Sequence, residues 1–167
     1  TFNAIKNVNL DSISKERIRD ELIKILLSPN RLKGIRILDK AHLLNQILPE
    51  LINLKGVEQD VKHHPEKDVF IHTMLALDSI NNSIEPSLEL ILSILLHDIG
   101  KPQSRTFISE NEIHFYEHEK IGAKLSEKIL QRLKFPTKTI EKVKWLIENH
   151  MRIHSFSEMK KSKKVKL

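Results

Sequence analysis

The chain has 167 residues, 30% of them charged and 40% hydrophobic, with no cysteine. That suffices for one sizeable core, or a core with a smaller helical appendage, and excludes disulfides and thiolate metal sites. No apolar run approaches a bilayer span, the opening Thr1-Phe2-Asn3-Ala4-Ile5-Lys6 is not a secretory signal, and the first residue is not methionine, so a soluble, cytoplasmic piece of a longer protein is expected.

The formal net charge of +6 is concentrated at one end. Lys160, Lys161, Lys163, Lys164 and Lys166 lie in the last eight residues, which leaves the body close to neutral. Basicity alone is therefore weak support for a polyanionic partner.

Four glycines, few aromatics and long Leu/Ile/Lys/Glu segments predict an all-α protein. Ser12 or Ser14 caps a first helix with Ile18, Leu22, Ile25 and Leu26 on one face, and Pro29 closes it. A short helix carrying Leu32, Ile35 and Leu38 follows. Another spans 41–48 and stops at Pro49, with Leu51 and Leu54 prolonging the apolar stripe. Residues 56–65 read as a connection, so the expected division is a helical neck-like segment over 1–56 and a second unit over 57–167.

The second unit opens with a helix over 66–81, with Val69, Leu75 and Ala76 inward and His72 within its span. Pro86 and Ser87 start the next, where Leu88, Ile91, Leu92, Leu95 and Leu96 make it apolar almost all round and mark it as the buried central helix. Residues 106–108 and 113–115 form a small β-hairpin or ordered loop. A helix over 117–133 carries Ile121, Leu125, Ile129 and Leu130, and Phe135-Pro136-Thr137 breaks it. The last helix covers 137–150 with Ile140, Val143, Leu146 and Ile147 inward, ahead of a polar basic segment.

The central helix delivers Leu95-Leu96-His97-Asp98-Ile99-Gly100-Lys101-Pro102. Glycine and proline are expected to turn the backbone out of the helix just after an adjacent histidine and aspartate, presenting two ligands side by side. Imidazole with carboxylate suits a divalent ion such as Mn, Fe, Ni, Co, Zn or Mg. His72 lies mid-helix, His118 opens a helix and His150 closes one. Antiparallel packing through short connections brings the ends near His97, His118 and His150 to one pole. His72, His97, Asp98, His118 and His150 thus form the expected metal set, although each histidine taken singly is better explained by core or surface. His42 reads as an ordinary helix-face residue, His63 and His64 as conformational, His114 as packed or functional, and His154 as peripheral.

A helical histidine followed by a His-Asp dipeptide resembles the HD superfamily of metal-dependent phosphohydrolases. HHPEKDVFIHTMLALD (63–78), LLHDIGKP (95–102), FYEHEKIGAKL (115–125) and ENHMR (148–152) are similar to the HD region of bacterial tRNA nucleotidyltransferases and poly(A) polymerases. ISKERIRDELIKILLSP (13–29) and ILPEL (47–51) are similar to the segment after their catalytic head. The resemblance implies an HD-type helical bundle in which His72, His97 and Asp98 hold one ion, while His118 and His150 hold a second with Asp98 bridging. It further implies a catalytic part for Asp98 and Lys101, with Lys101, Arg105 and Arg152 meeting substrate phosphate. The expected reaction is hydrolysis of a 2′,3′-cyclic phosphate or phosphomonoester at a tRNA or RNA 3′ end, or on a nucleotide. The alternative is a non-catalytic module that supports tRNA.

Two departures accompany the resemblance. The glycine-rich strand-turn and paired aspartates of a nucleotidyltransferase head are absent, so nucleotide addition by this polypeptide alone is not expected. No aspartate follows Asp98. The last aspartate of the HD pattern lies after Leu167, is replaced by Glu148 or Glu158, or is lost.

Overall fold

A computed structural model describes residues 8–60, 65–80, 85–109 and 112–156. His63, His64, Glu158 and the terminal lysines lie outside the described residues, as does the side chain of His154. The chain runs α1 (Lys15–Leu27), α2 (Arg31–Lys40), α3 (Leu43–Ile47), α4 (Pro49–Ile52), α5 (Val69–Asp78), α6 (Leu88–Leu96), α7 (Lys101–Ser104), β1 (Arg105–Ser109), β2 (Glu112–Phe115), α8 (His118–Arg132) and α9 (Thr137–Phe156). The fold is the expected helical bundle with one antiparallel two-stranded hairpin. No helix of the described residues is long and apolar enough to cross a membrane.

Local chemistry sets the element ends. Ser14, Asp68 and Ser87 accept from the backbone N–H groups of Arg17, Ile71 and Leu90, so α1, α5 and α6 each begin on a side-chain cap. Asp68 also accepts from the Gly56 N–H at 2.7 Å, which ties the start of α5 to the turn after α4. This cap explains why α5 begins at Val69, later than the 66–81 span predicted. The 41–48 helix is likewise shorter, because His42 adopts a left-handed conformation (φ 60°) between α2 and α3. The last helix is longer than predicted and continues past His150 to Phe156.

The central helix α6 is buried through Ile91, Leu92, Leu95 and Leu96, and it packs against α5, α9 and α1. Ile18, Leu22 and Leu26 of α1 reach the same core as Val143 and Ile147 of α9. The neck-like segment therefore shares its apolar interior with the helices that follow. Arg132 of α8 strengthens that join, donating to both carboxylate oxygens of Glu50 at 2.5 and 2.9 Å and to the Ile47 carbonyl at 3.2 Å. On α5 the inward face is Val69, Thr73, Met74 and Leu77, whereas Leu75, predicted inward, is exposed.

Gly100 has a different job from the one its position suggests. Its φ of −79° is ordinary right-handed backbone, and Pro102 sits in the first turn of α7, so the chain re-enters a helix after a short turn. What glycine provides is room. A Cβ at Gly100 would lie 2.2 Å from the His118 carbonyl oxygen and 2.7 Å from the Gly122 nitrogen, so only glycine lets this turn rest on the start of α8.

Candidate metal centre

Four elements deliver the pocket. His72 comes from the early part of α5, His97 caps the C-terminus of α6, His118 opens α8 and His150 lies within α9. The chain enters α8 through Glu117, which turns the backbone with a φ of 56°. The rings form a chain, His72 to His97 (centroids 5.5 Å apart), His97 to His150 (5.2 Å) and His150 to His118 (5.2 Å).

Asp98 lies among these rings, with 2% of its side chain exposed. Its Oδ2 is 3.2 Å from His97 Nε2 and 4.0 Å from His72 Nε2, while Oδ1 is 3.5 Å from His118 Nε2. The two oxygens thus face different histidines. His72, His97 and Asp98 form one group with mutually close ligand atoms, and Asp98, His118 and His150 form another.

The imidazole protons are fixed by what the other ring nitrogens touch. His97, His118 and His150 direct Nδ1 at the carbonyls of Ile94, Phe115 and Ile147, at 2.9, 2.9 and 2.6 Å. His72 directs Nδ1 at Glu66 Oε1, at 2.6 Å. A carbonyl only accepts, so each Nδ1 facing one carries the proton, and in the neutral ring Nε2 carries a lone pair. His118 and His150 bring their Nε2 atoms within 3.3 Å of each other. Two converging lone pairs beside a buried carboxylate form an electron-rich pocket that a cation relieves. The nitrogen and oxygen donors, without sulfur, fit a borderline or hard divalent ion.

Electrostatics point the same way. Burial works to raise the Asp98 carboxyl, but the charge and hydrogen bond of His97, with the Lys101 ammonium, outweigh it and hold the group well below the usual carboxylate range. Burial likewise opposes a charge on His97, yet the neighbouring Asp98 prevails and raises its pKa. Burial pushes His150 down to about 4, so this ring is neutral at pH 7.

Other predicted residues stand differently. Lys101 is 6% exposed. Its Nζ lies 2.8 Å from Asp98 Oδ2, donates to Gln59 Oε1 at 2.9 Å and sits over the Phe115 ring. Arg105 lies 3.6 Å from Glu58 and over the Phe107 ring, and Arg152 is exposed on α9. Glu148 is exposed and belongs to neither ligand group among the described residues. His42 forms a turn, and His114 stacks on Tyr116 in the hairpin region.

Glu66 and Gln59 are absent from the predicted set. Gln59 donates to Glu66 at 3.3 Å, so Lys101, Gln59, Glu66 and His72 form a continuous hydrogen-bonded path beside Asp98. Glu66 stands six residues before His72 across a turn, a spacing that no helical or strand period would flag.

Comparison with known proteins matches residues 63–166 to the HD domain, and residues 1–54 to a family described as the probable RNA and SrmB-binding site of polymerase A. The chain is 36% identical over 140 residues to the CC-adding tRNA nucleotidyltransferase of Thermus thermophilus, covering 83% of this chain and 32% of the relative. It is 39% identical over 141 residues to the A-adding tRNA nucleotidyltransferase of Deinococcus radiodurans, covering 81% and 31%. A multifunctional CCA protein of Halorhodospira halophila is 32% identical over 158 residues, covering 95% and 37%. The chain spans about a third of the length of these curated relatives. More than half of its residues match the HD domain, and it is related in sequence to tRNA nucleotidyltransferases; the chain belongs to the HD-domain family.

Proposed function

We propose that residues 57–167 act as a metal-dependent phosphohydrolase unit on a 2′,3′-cyclic phosphate or phosphomonoester at an RNA 3′ end, with residues 1–56 as the adjoining neck. The observation that carries this reading is the common orientation of four imidazoles, each with Nδ1 engaged and Nε2 turned toward one buried carboxylate or a neighbouring ring. His72, His97 and Asp98 would hold one divalent ion, and Asp98, His118 and His150 a second. A bound divalent ion supplies charge stabilisation to phosphoryl oxygens and lowers the pKa of water.

The chain's own groups prepare that chemistry. Asp98 stays ionised, His150 stays neutral, and Glu66 holds the His72 proton on Nδ1. Lys101 was expected to meet phosphate, but its buried ammonium is engaged by Asp98 and Gln59. Lys101 thereby acts as a positioning residue for the Asp98 carboxylate. Arg105 and Arg152 keep the assignment to substrate phosphate.

A second reading, support of tRNA without hydrolysis, is favoured by the exposure of Glu148, the candidate replacement for the last ligand, which belongs to neither ligand group among the described residues. One experiment separates the two. The purified chain is analysed for bound metal, then assayed on a 2′,3′-cyclic nucleotide and an aryl phosphate with and without chelator. Metal-dependent turnover that disappears in His97→Ala and Asp98→Ala supports the hydrolase. Metal-free protein that binds tRNA but turns over neither substrate supports the second reading.

A further inference from the structure

The hairpin between α7 and α8 is small, yet it exposes large apolar side chains. Phe107 is 64% exposed, and Ile108 and Tyr116 are also exposed. Isolated apolar residues on a surface are ordinary, but an aromatic ring already stacked on a cation beside a candidate phosphoester site is a more specific arrangement. The Arg105 guanidinium lies 4.6 Å from the centroid of the Phe107 ring. Given the ring's exposure, its other side remains available.

Strand register links this ring to the metal centre. Arg105 pairs with Phe115 and Phe107 with Ile113, so these four side chains share one face of the hairpin. On that face Phe115 lies beneath Lys101 Nζ, 5.4 Å from its ring centroid, and the same nitrogen is 2.8 Å from Asp98. Moving outward from Asp98, the contacts run Lys101, Phe115, Arg105 and Phe107. A register shift falls between Phe107 and Ser109, the kind of irregularity that re-aims a side chain. His114 and Tyr116, by contrast, stack on the opposite face, since Thr106 pairs with His114.

We infer that Phe107, backed by Arg105, is a stacking platform for an unpaired nucleobase whose phosphate enters the metal centre. An aromatic ring supported by a guanidinium is suited to a base, because every base offers a π face and Arg adds attraction to the adjoining phosphate. Discrimination at this position is by stacking, so tolerance of base identity is expected. The inference deepens the phosphohydrolase reading and rests on it for the entry of the phosphate.

The test measures binding without requiring turnover. The whole chain is titrated against a fluorescent single-stranded oligoribonucleotide, the same strand with abasic terminal positions, and a free mononucleotide, by anisotropy or competition in the presence of chelator. Phe107→Ala is expected to weaken the base-bearing strand about tenfold and leave the abasic strand unchanged. Phe107→Trp is expected to retain binding, and Tyr116→Ala, on the opposite face, to match the parent protein. Phe107-dependent competition by the mononucleotide identifies the ligand as a nucleotide, and its absence identifies a strand end. Equal loss on both strands, no loss on either, or an equal effect of Tyr116→Ala overturns the inference. If no variant hydrolyses phosphoester while Phe107-dependent binding persists, the hydrolase reading fails and the platform stands. Turnover with Phe107-independent binding removes the platform alone.

Discussion

Gly100→Ala isolates the contact that seats His118 beside Asp98. The added Cβ would stand 2.2 Å from the His118 carbonyl oxygen. An ordinary carbon–oxygen separation is about 3.3 Å, so the turn and the first residues of α8 must part by about 1 Å. Both obstructing atoms are backbone, which no rotamer change relieves. The expected destabilisation is about 2–3 kcal/mol, or a fall of roughly 5–10 °C in Tm for a chain of this length. Because the displaced residue carries one ligand, affinity for Mn or Co, read by isothermal titration calorimetry, should fall at least tenfold. Gly34→Ala is the control. Its Cβ would meet Ile25 Cγ2, the branch methyl of a side chain on α1 that packs against the core and belongs to neither ligand group. That variant should also lose stability but keep its metal affinity. A Gly100→Ala protein with unchanged Tm and metal binding would refute the close-approach argument.

Three further outcomes are expected. Glu66→Ala removes the acceptor that orients His72 and should lower metal affinity by about 10- to 100-fold, measured by competition with a chromophoric chelator; unchanged affinity would show that His72 is oriented by other means. Metal affinity should fall as the pH is lowered from alkaline values to 6.5, because the His97 pKa is raised above that value and a proton competes there, whereas His150 at about 4 does not compete in this window. A flat calorimetric profile over that interval would contradict the pairing of His97 with Asp98. Finally, Glu50→Gln should cost about 1 kcal/mol at pH 7 in urea unfolding, as expected for a partly exposed bidentate pair. Burial raises the Glu50 pKa but Arg132 outweighs it, so the folded value lies below 4.5, and the contribution is present above that pH and fades as acid titrates the folded carboxylate. Parent and variant should therefore converge once the pH falls below the folded Glu50 pKa.

Much of this molecule was legible in its sequence because the informative signals were local. The apolar run that ends in His97-Asp98 announces a buried helix carrying polar chemistry at its tip, and α6 has that form. Two short runs, 106–108 and 113–115, on either side of a polar stretch were enough to expect a hairpin or an ordered loop, and the hairpin is what forms. What escaped depended on contacts between distant segments. Lysine is rarely buried, so nothing in the sequence distinguished Lys101 from a surface cation until Asp98 and Gln59 were seen to surround it. Leu75 was misassigned because a short, uniformly apolar helix such as α5 has little contrast between its faces, and the neighbours choose Met74 and Leu77 instead. The role of Gly100 was hidden for the same reason, since what it must avoid is the backbone of another helix.

Three of the four histidine Nδ1 contacts share one rule: each ring reaches the carbonyl three residues earlier in its own chain. The tautomer of those rings, with the proton on Nδ1, is thus written into short peptide segments and needs no distant neighbour to establish it. Small sliding or tilting of α6, α8 and α9 would change distances between the rings while leaving each one's tautomer intact. Electronic readiness and spatial assembly are separable properties of this pocket, and His72, whose partner comes from a preceding turn, is the position where the two are joined.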